Sequence, residues 1–153
     1  MRSLPEADSA TRAEFIRWLD VFAGYVREVD YGSARPLFHP DVLAFGTHRD
    51  VISGLDQWMA TQWDNVWPKT SDFQFDLDAA RILVSDDRSV ATVIVPWTST
   101  GYEKDGSTFD RPGRATMIFH KLDGAWLCVH SHMSLNRGVP QQSFANRPRK
   151  SAA

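Results

Sequence analysis

The chain has 153 residues, 42% hydrophobic and 24% charged, which is enough for one domain with a single sizeable core. A formal net charge of -2 gives no general attraction to nucleic acid or anionic membrane, and no apolar run approaches the roughly 18 residues of a membrane-spanning helix. The polar stretch Met1 to Thr11 holds no apolar signal core, and the single cysteine, Cys128, excludes an intrachain disulfide. A cytoplasmic, reducing compartment is the expectation.

Thr11-Arg12-Ala13-Glu14 reads as a capping box, with a hydroxyl at the cap and a carboxylate three residues on. Phe15, Leu19, Phe22, Val26 and Val29 come next at helical spacing, and Ile16 and Ala23 widen the stripe. This first helix is predicted to run to about Asp30. Gly32 breaks it, and Pro36 limits the second helical segment to a short turn near 33–38. Val42 to Phe45 reads as a short strand. Ser53-Gly54-Leu55-Asp56 opens another helix, with Leu55, Met59, Gln62/Trp63 and Val66/Trp67 as its stripe and Pro68 as its stop.

The period then changes from helix to strand. Phe73, Phe75 and Leu77 alternate, and Ile82 and Val84 alternate on the opposite parity, which predicts a bulge near 78–80. Asp86-Asp87 is a turn. Val90 to Thr100 is a strand with Pro96 inside it, a residue confined to an edge or a bulge. Lys104-Asp105-Gly106 turns into a strand from about Thr108 to His120. Asp123-Gly124 is a hairpin signal into the last strand. After Asn136 the composition turns basic and polar, with Arg137, Arg147, Arg149 and Lys150 and no acid. The domain is therefore expected over 11–136, between an extension at 1–10 and a basic tail at 137–153. Helices first and strands afterwards predict an α+β fold. It is a cone-shaped, curved antiparallel sheet wrapped around the long N-terminal helix, with two further helices and an interior pocket.

Chemistry concentrates at the end of the chain. His130 and His132, two apart on the last strand, share a face about 7 Å apart, and unbroken alternation adds Trp126, Cys128 and Ser134 to it. Imidazoles titrate near neutral pH, so the pair fits a general acid and base; it fits equally a structural strand or a dimer interface. Metal binding by His-x-His needs a third ligand, usually a carboxylate; the acids after Glu103 lie in or beside turns, and His48 or His120 would complete a set only by coincidence of folding. Arg114 shares a face with Thr116, Ile118 and His120; it fits an anchor for a ligand anion or an ion pair with Asp110 or Glu103. Trp97 and Trp126 fit pocket walls, Tyr25 can turn its hydroxyl inward, and His48 lies in a loop at the pocket mouth. Trp63 and Trp67, at i and i+4, fit a core or dimer stripe.

These elements and motifs resemble a known family. Phe38-His39-Pro40-Asp41-Val42, Gly54, Gly113-Arg114-Ala115-Thr116, Asp123-Gly124-Ala125-Trp126 and Val129-His130-Ser131-His132-Met133-Ser134 together look like a SnoaL-like, nuclear transport factor 2-like domain. That cone fold is shared by ketosteroid isomerases and scytalone dehydratase. The closing strand also resembles the association domain of calcium/calmodulin-dependent kinase II. The resemblance covers Thr11 to Asn136. It implies the fold, but the fold hosts isomerases, dehydratases, cyclases, hydrolases and non-catalytic modules. The catalytic sets of those enzymes do not map cleanly: Tyr25 falls near a ketosteroid isomerase tyrosine, but neither aspartate has a counterpart.

The residues support two expectations. The first is a small-molecule protein acting as a cofactor-independent isomerase, dehydratase or cyclase. His132 is its acid or base and His130 its partner; Arg114, Trp97, Trp126, Tyr25 and His48 hold an anionic or aromatic ligand, and no metal is used. The second is a non-catalytic ligand-binding or oligomerisation module. Leu127, Val129 and Met133 make the other strand face apolar, so a homodimer is expected under either. Nucleic acid and membrane are not expected partners.

Overall fold

A capping carboxylate and an apolar stripe set the first element. Helix α1, Ser9–Glu28, starts where the Asp8 carboxylate accepts the Thr11 N–H at 2.8 Å. Thr11 is thus inside the helix and buried, its hydroxyl taking a hydrogen bond from Arg88 at 2.6 Å. Phe15, Leu19, Phe22, Ala23 and Val26 are buried along one stripe, each large side chain contributing about 1.5–3 kcal/mol. The helix ends at Val29, which is left-handed at φ 55°. Arg12 and Arg27 pin it to the sheet by donating to the carbonyls of Ala80 (2.7 Å) and Phe73 (2.7 Å). The computed structural model describes residues 2–47 and 50–144. Among these, no helix is long and apolar enough to cross a membrane.

A short helix α2, Tyr31–Ala34, and a turn over Arg35–Leu37 lead into β1, Phe38–Phe45, and the edge strand β2, Val51–Ser53. The predicted second amphipathic helix is present but broken in character. Helix α3, Leu55–Trp58, widens into a π turn over Met59–Trp63, tightens to α4, Asp64–Val66, and closes in a 3₁₀ turn over Trp67–Lys69 at Pro68. Trp63 and Trp67 stack at 4.3 Å and 19°.

The sheet adds β3 (Ser71–Phe75), β4 (Arg81–Val84), β5 (Val90–Tyr102), β6 (Thr108–Asp110), β7 (Gly113–Leu122) and β8 (Ala125–Leu135). Its order is β2-β1-β8-β7-β5-β3, with β4 and β6 also paired to β5. The sheet is mixed rather than wholly antiparallel, because β1 lies parallel to β8. The parity change near 78–80 is a 3₁₀ turn, Leu77–Ala79, capped by Asp76, and it divides β3 from β4 where a bulge was expected. Arg81 pairs with Ile94 and Phe75 with Trp97. Pro96 therefore sits where the partner of β5 changes from β4 to β3, a position that can do without a donor on that side.

Ala91, Val93, Val95 and Trp97 of β5 and Ala115, Met117 and Phe119 of β7 face inward and are buried with the α1 stripe. Strand β8 departs from simple alternation. Phe119 pairs with Cys128 but Ile118 pairs with His130, so Val129 is an extra residue. This bulge inverts the parity beyond it. Trp126 and Cys128 keep the inner face, whereas His130, His132 and Ser134 turn outward beside Ile118, Thr116 and Arg114. The expected common face of the histidines with Trp126 and Cys128 is corrected by this one residue.

Candidate functional site

The distinctive inward-facing group is Arg111. It lies between β6 and β7, yet its backbone still pairs with Ser99, through N–H to O at 2.9 Å and O to N–H at 3.0 Å. Ser99 faces inward with Trp97, so its partner does too. Arg111 is 3% exposed. Its Nη1 donates to Ser99 Oγ at 3.4 Å and its Nη2 to Thr47 Oγ1 at 3.2 Å, while its Nε has no acceptor among the described residues. Its carbon Cζ stands 5.4 Å from the Trp97 ring centroid, within cation–π range. Among the described residues no carboxylate pairs with it. Burial pushes its pKa down to about 10, which leaves it charged at neutral pH.

Around it lies a cavity of about 40 Å³, about three water-sized positions. Trp58, Trp63, Trp67, Phe73 and Trp97 form most of the wall, and Gln62, Thr47 and Arg111 the polar end. The π turn brings Gln62 inward, where its Nε2 donates to Thr47 Oγ1 at 3.0 Å. Gly46 permits this, since a Cβ there would stand 2.5 Å from the Gln62 side chain. Gly113 similarly makes room for the Trp97 indole, which a Cβ there would meet at 2.2 Å. Besides Arg111 Nε, the buried donors Trp58 Nε1 and Trp97 Nε1 lack acceptors among the described residues. The described wall holds no Asp, Glu, His, Lys, Cys or Tyr. Its polar end offers positive charge and donors, and no proton-transfer group other than a guanidinium.

The residues singled out from sequence are divided by the sheet. Trp97 is in the cavity wall. Arg114 and His132 come together with Ser134 and Thr116, but in an open hollow of about 480 Å³ on the outer face, where Arg114 Nε donates to Ser134 Oγ at 3.2 Å. His130 Nδ1 donates to the Leu43 carbonyl at 2.8 Å, which directs Nε2 away from β1. The Phe45 ring meets both imidazoles edge-on, at 5.2 Å from His130 and 5.0 Å from His132. Trp126 packs on Phe15 at 5.2 Å under the start of α1, and Tyr25 is half-buried against the core; neither lines the cavity. His48 lies outside the described residues. Cys128 is fully buried, its thiol pushed up by burial and donating to the His130 carbonyl at 3.3 Å.

Arg111, Gln62 and Thr47 were not anticipated. A signal existed for the first: Arg111 stands in the same parity as Gly113, Ala115, Met117 and Phe119, a cation in an otherwise apolar row.

A SnoaL-like domain family model matches residues 17–137. A search of curated proteins finds no match. Among solved structures, a nuclear transport factor 2-like superfamily protein from Salmonella enterica aligns at TM-score 0.70 and 24% identity, covering 84% of this chain and 93% of that one. A calcium/calmodulin-dependent protein kinase II association domain from Xanthomonas campestris aligns at 0.68 and 20%, covering 90% and 95%. A ketosteroid isomerase-like protein from Erwinia carotovora aligns at 0.67 and 16%, covering 82% and 95%. At these identities the likeness is one of fold.

Proposed function

The chain belongs to the SnoaL-like domain family, and on that footing we propose that it binds a small anionic molecule in the cone, with Arg111 as the anchor and the tryptophans as walls. The observation that carries this reading is a buried guanidinium with no carboxylate partner among the described residues. A charge removed from water is costly unless it is compensated. Among the described residues the compensation is two long hydrogen bonds to hydroxyls and the Trp97 ring contact, none of which carries an opposite charge. A carboxylate would supply both the charge and the acceptors that the Arg111 and tryptophan N–H groups lack. The cavity size matches a short-chain acid.

An isomerase, dehydratase or cyclase needs a side chain that moves protons. The described cavity wall has none that titrates near neutral pH, which supports binding over acid–base catalysis. Differential scanning fluorimetry with propionate and its neutral isostere propionamide tests the anion reading. Stabilisation by propionate alone, abolished by Arg111→Gln, is expected; equal responses to both compounds would refute it.

A second reading is favoured by the outer face. Leu43, Phe45 and Ile94 are 48%, 36% and 45% exposed there, beside His130 and His132. Such a surface suits pairing with a second copy, and association domains are among the structural neighbours. Light scattering showing only monomer at all accessible concentrations would refute this reading.

A further inference from the structure

Arg111 faces a second space. Together with Val66 and Thr70 it lines both the cavity and a smaller hollow of about 30 Å³. That hollow also carries Lys69, and its described lining holds two cations and no acid. Gln141, Gln142 and Ser143, in the segment 141–144 that follows the last strand, are also in its described lining. Ser143 Oγ accepts the Tyr102 N–H at 2.9 Å and donates to the Lys69 carbonyl at 2.5 Å. The Phe144 N–H donates to the Tyr102 carbonyl at 2.8 Å, and the Lys104 ammonium lies 5.4 Å from the Phe144 ring centroid.

These contacts hold the segment without a core residue. Ser143 is its one buried side chain; Gln141 and Gln142 are exposed and Phe144 is half-buried. A stretch tied by a few hydrogen bonds and little buried apolar area opens at a small fraction of the cost of global unfolding. Partly exposed Lys69 and buried Arg111 share the hollow with it.

We propose that residues 141–144 are a removable cover over a cationic side entrance, through which an anionic ligand reaches Arg111. The proposal rests on Arg111 being the anchor of that ligand. In its physical form, Lys69 draws the anion in, and the shared Arg111 wall passes it to the cavity.

The arginine reagent phenylglyoxal, with Arg111 modification read by peptide mass spectrometry, tests the cover without any ligand. In the full chain carrying Ser143→Ala, modification is expected to run ~5–30-fold faster, the factor carried by one or two hydrogen bonds; an unchanged rate would overturn the proposal. Hydrogen exchange on the unaltered chain guards against a folding defect in the variant. The Tyr102 and Phe144 amides must exchange faster than those of Val93 and Val95, and equal protection would overturn the cover. With propionate bound, Ser143→Ala should raise association and dissociation rates by the same factor, whereas a change in Kd with unaltered association would count against it. Failure of propionate to bind at all would defeat the anion reading, while reactivity at Arg111 would still decide the cover.

Discussion

Replacing Arg111 with methionine separates a waiting cation from a structural tether. Burial holds the Arg111 pKa at about 10 instead of 12.5, a difference worth about 3 kcal/mol against the charged form. Against this stand two long hydrogen bonds, to Ser99 and Thr47, at about 0.5–1.5 kcal/mol each. The Trp97 contact adds about 0.5–1 kcal/mol. Methionine keeps an apolar stem of similar length, and the backbone pairing with Ser99 is untouched. The opposing effects nearly cancel, so Arg111→Met should leave unliganded stability within about 1 kcal/mol of wild type, a Tm change of roughly 2–4 °C. The ligand response should disappear. Propionate at ~100-fold excess over Kd stabilises the wild type by about 2.7 kcal/mol and the variant by nothing. Urea denaturation with and without propionate measures both quantities. An unliganded loss well above 2 kcal/mol, or a propionate effect that survives, would refute the assignment.

Other outcomes are equally specific. Gly113→Ala places a Cβ 2.2 Å from the Trp97 ring and 2.5 Å from the Ser134 carbonyl; the backbone oxygen cannot yield, so urea denaturation should show a loss of about 2–3 kcal/mol. Propionate affinity by calorimetry should stay flat between about pH 6 and 8, the range in which histidines titrate, because none is in the described cavity wall; a sigmoidal change would bring a histidine into the site. Phe45→Ser should lower the self-association constant in analytical ultracentrifugation while leaving the circular dichroism spectrum unchanged. Asp8 is held down to about 2 first by the Thr11 N–H and then by the Thr11 and Arg88 side chains. Its folded pKa is depressed, so its support of α1 is full above 3.8 and is lost as pH falls to about 2. An acid titration followed by circular dichroism should show wild type and Asp8→Asn differing at pH 5 (roughly, above the carboxylate range) and converging at the acid end.

The parts of the fold legible in the sequence are those with one strong local signal. Helix α1 shows its stripe because Phe15, Leu19, Phe22 and Val26 recur at 3.6 residues, and the hairpin at Asp123-Gly124 announces itself by turn chemistry. The start of α1 was less legible, because Asp8 and Thr11 are both good caps and the choice is made by Arg88, which reaches the Thr11 hydroxyl from β5's approach turn. The β8 bulge left no local trace: Leu127, Cys128 and Val129 are all apolar, so no polar residue marks which one is extra. That concealed parity grouped His130 and His132 with Trp126 and Cys128 on one face, whereas they pair with Ile118 and Thr116 on the opposite one. Arg111 was hidden differently. Next to Pro112 it reads as a turn residue, so its parity with Gly113, Ala115, Met117 and Phe119 was masked, and its pairing with Ser99 is what makes it continue the inner row.

The extra Val129 also bears on how such chains are compared. Two proteins can carry the same letters from tryptophan through the paired histidines and still present those histidines to opposite compartments, solvent or interior, if one of them lacks the bulge. Matching the letters of the closing motif therefore transfers no role. What transfers is the pairing of each histidine with its neighbour on β7, and in this chain that pairing gives the imidazoles to the exterior and leaves the interior to a guanidinium.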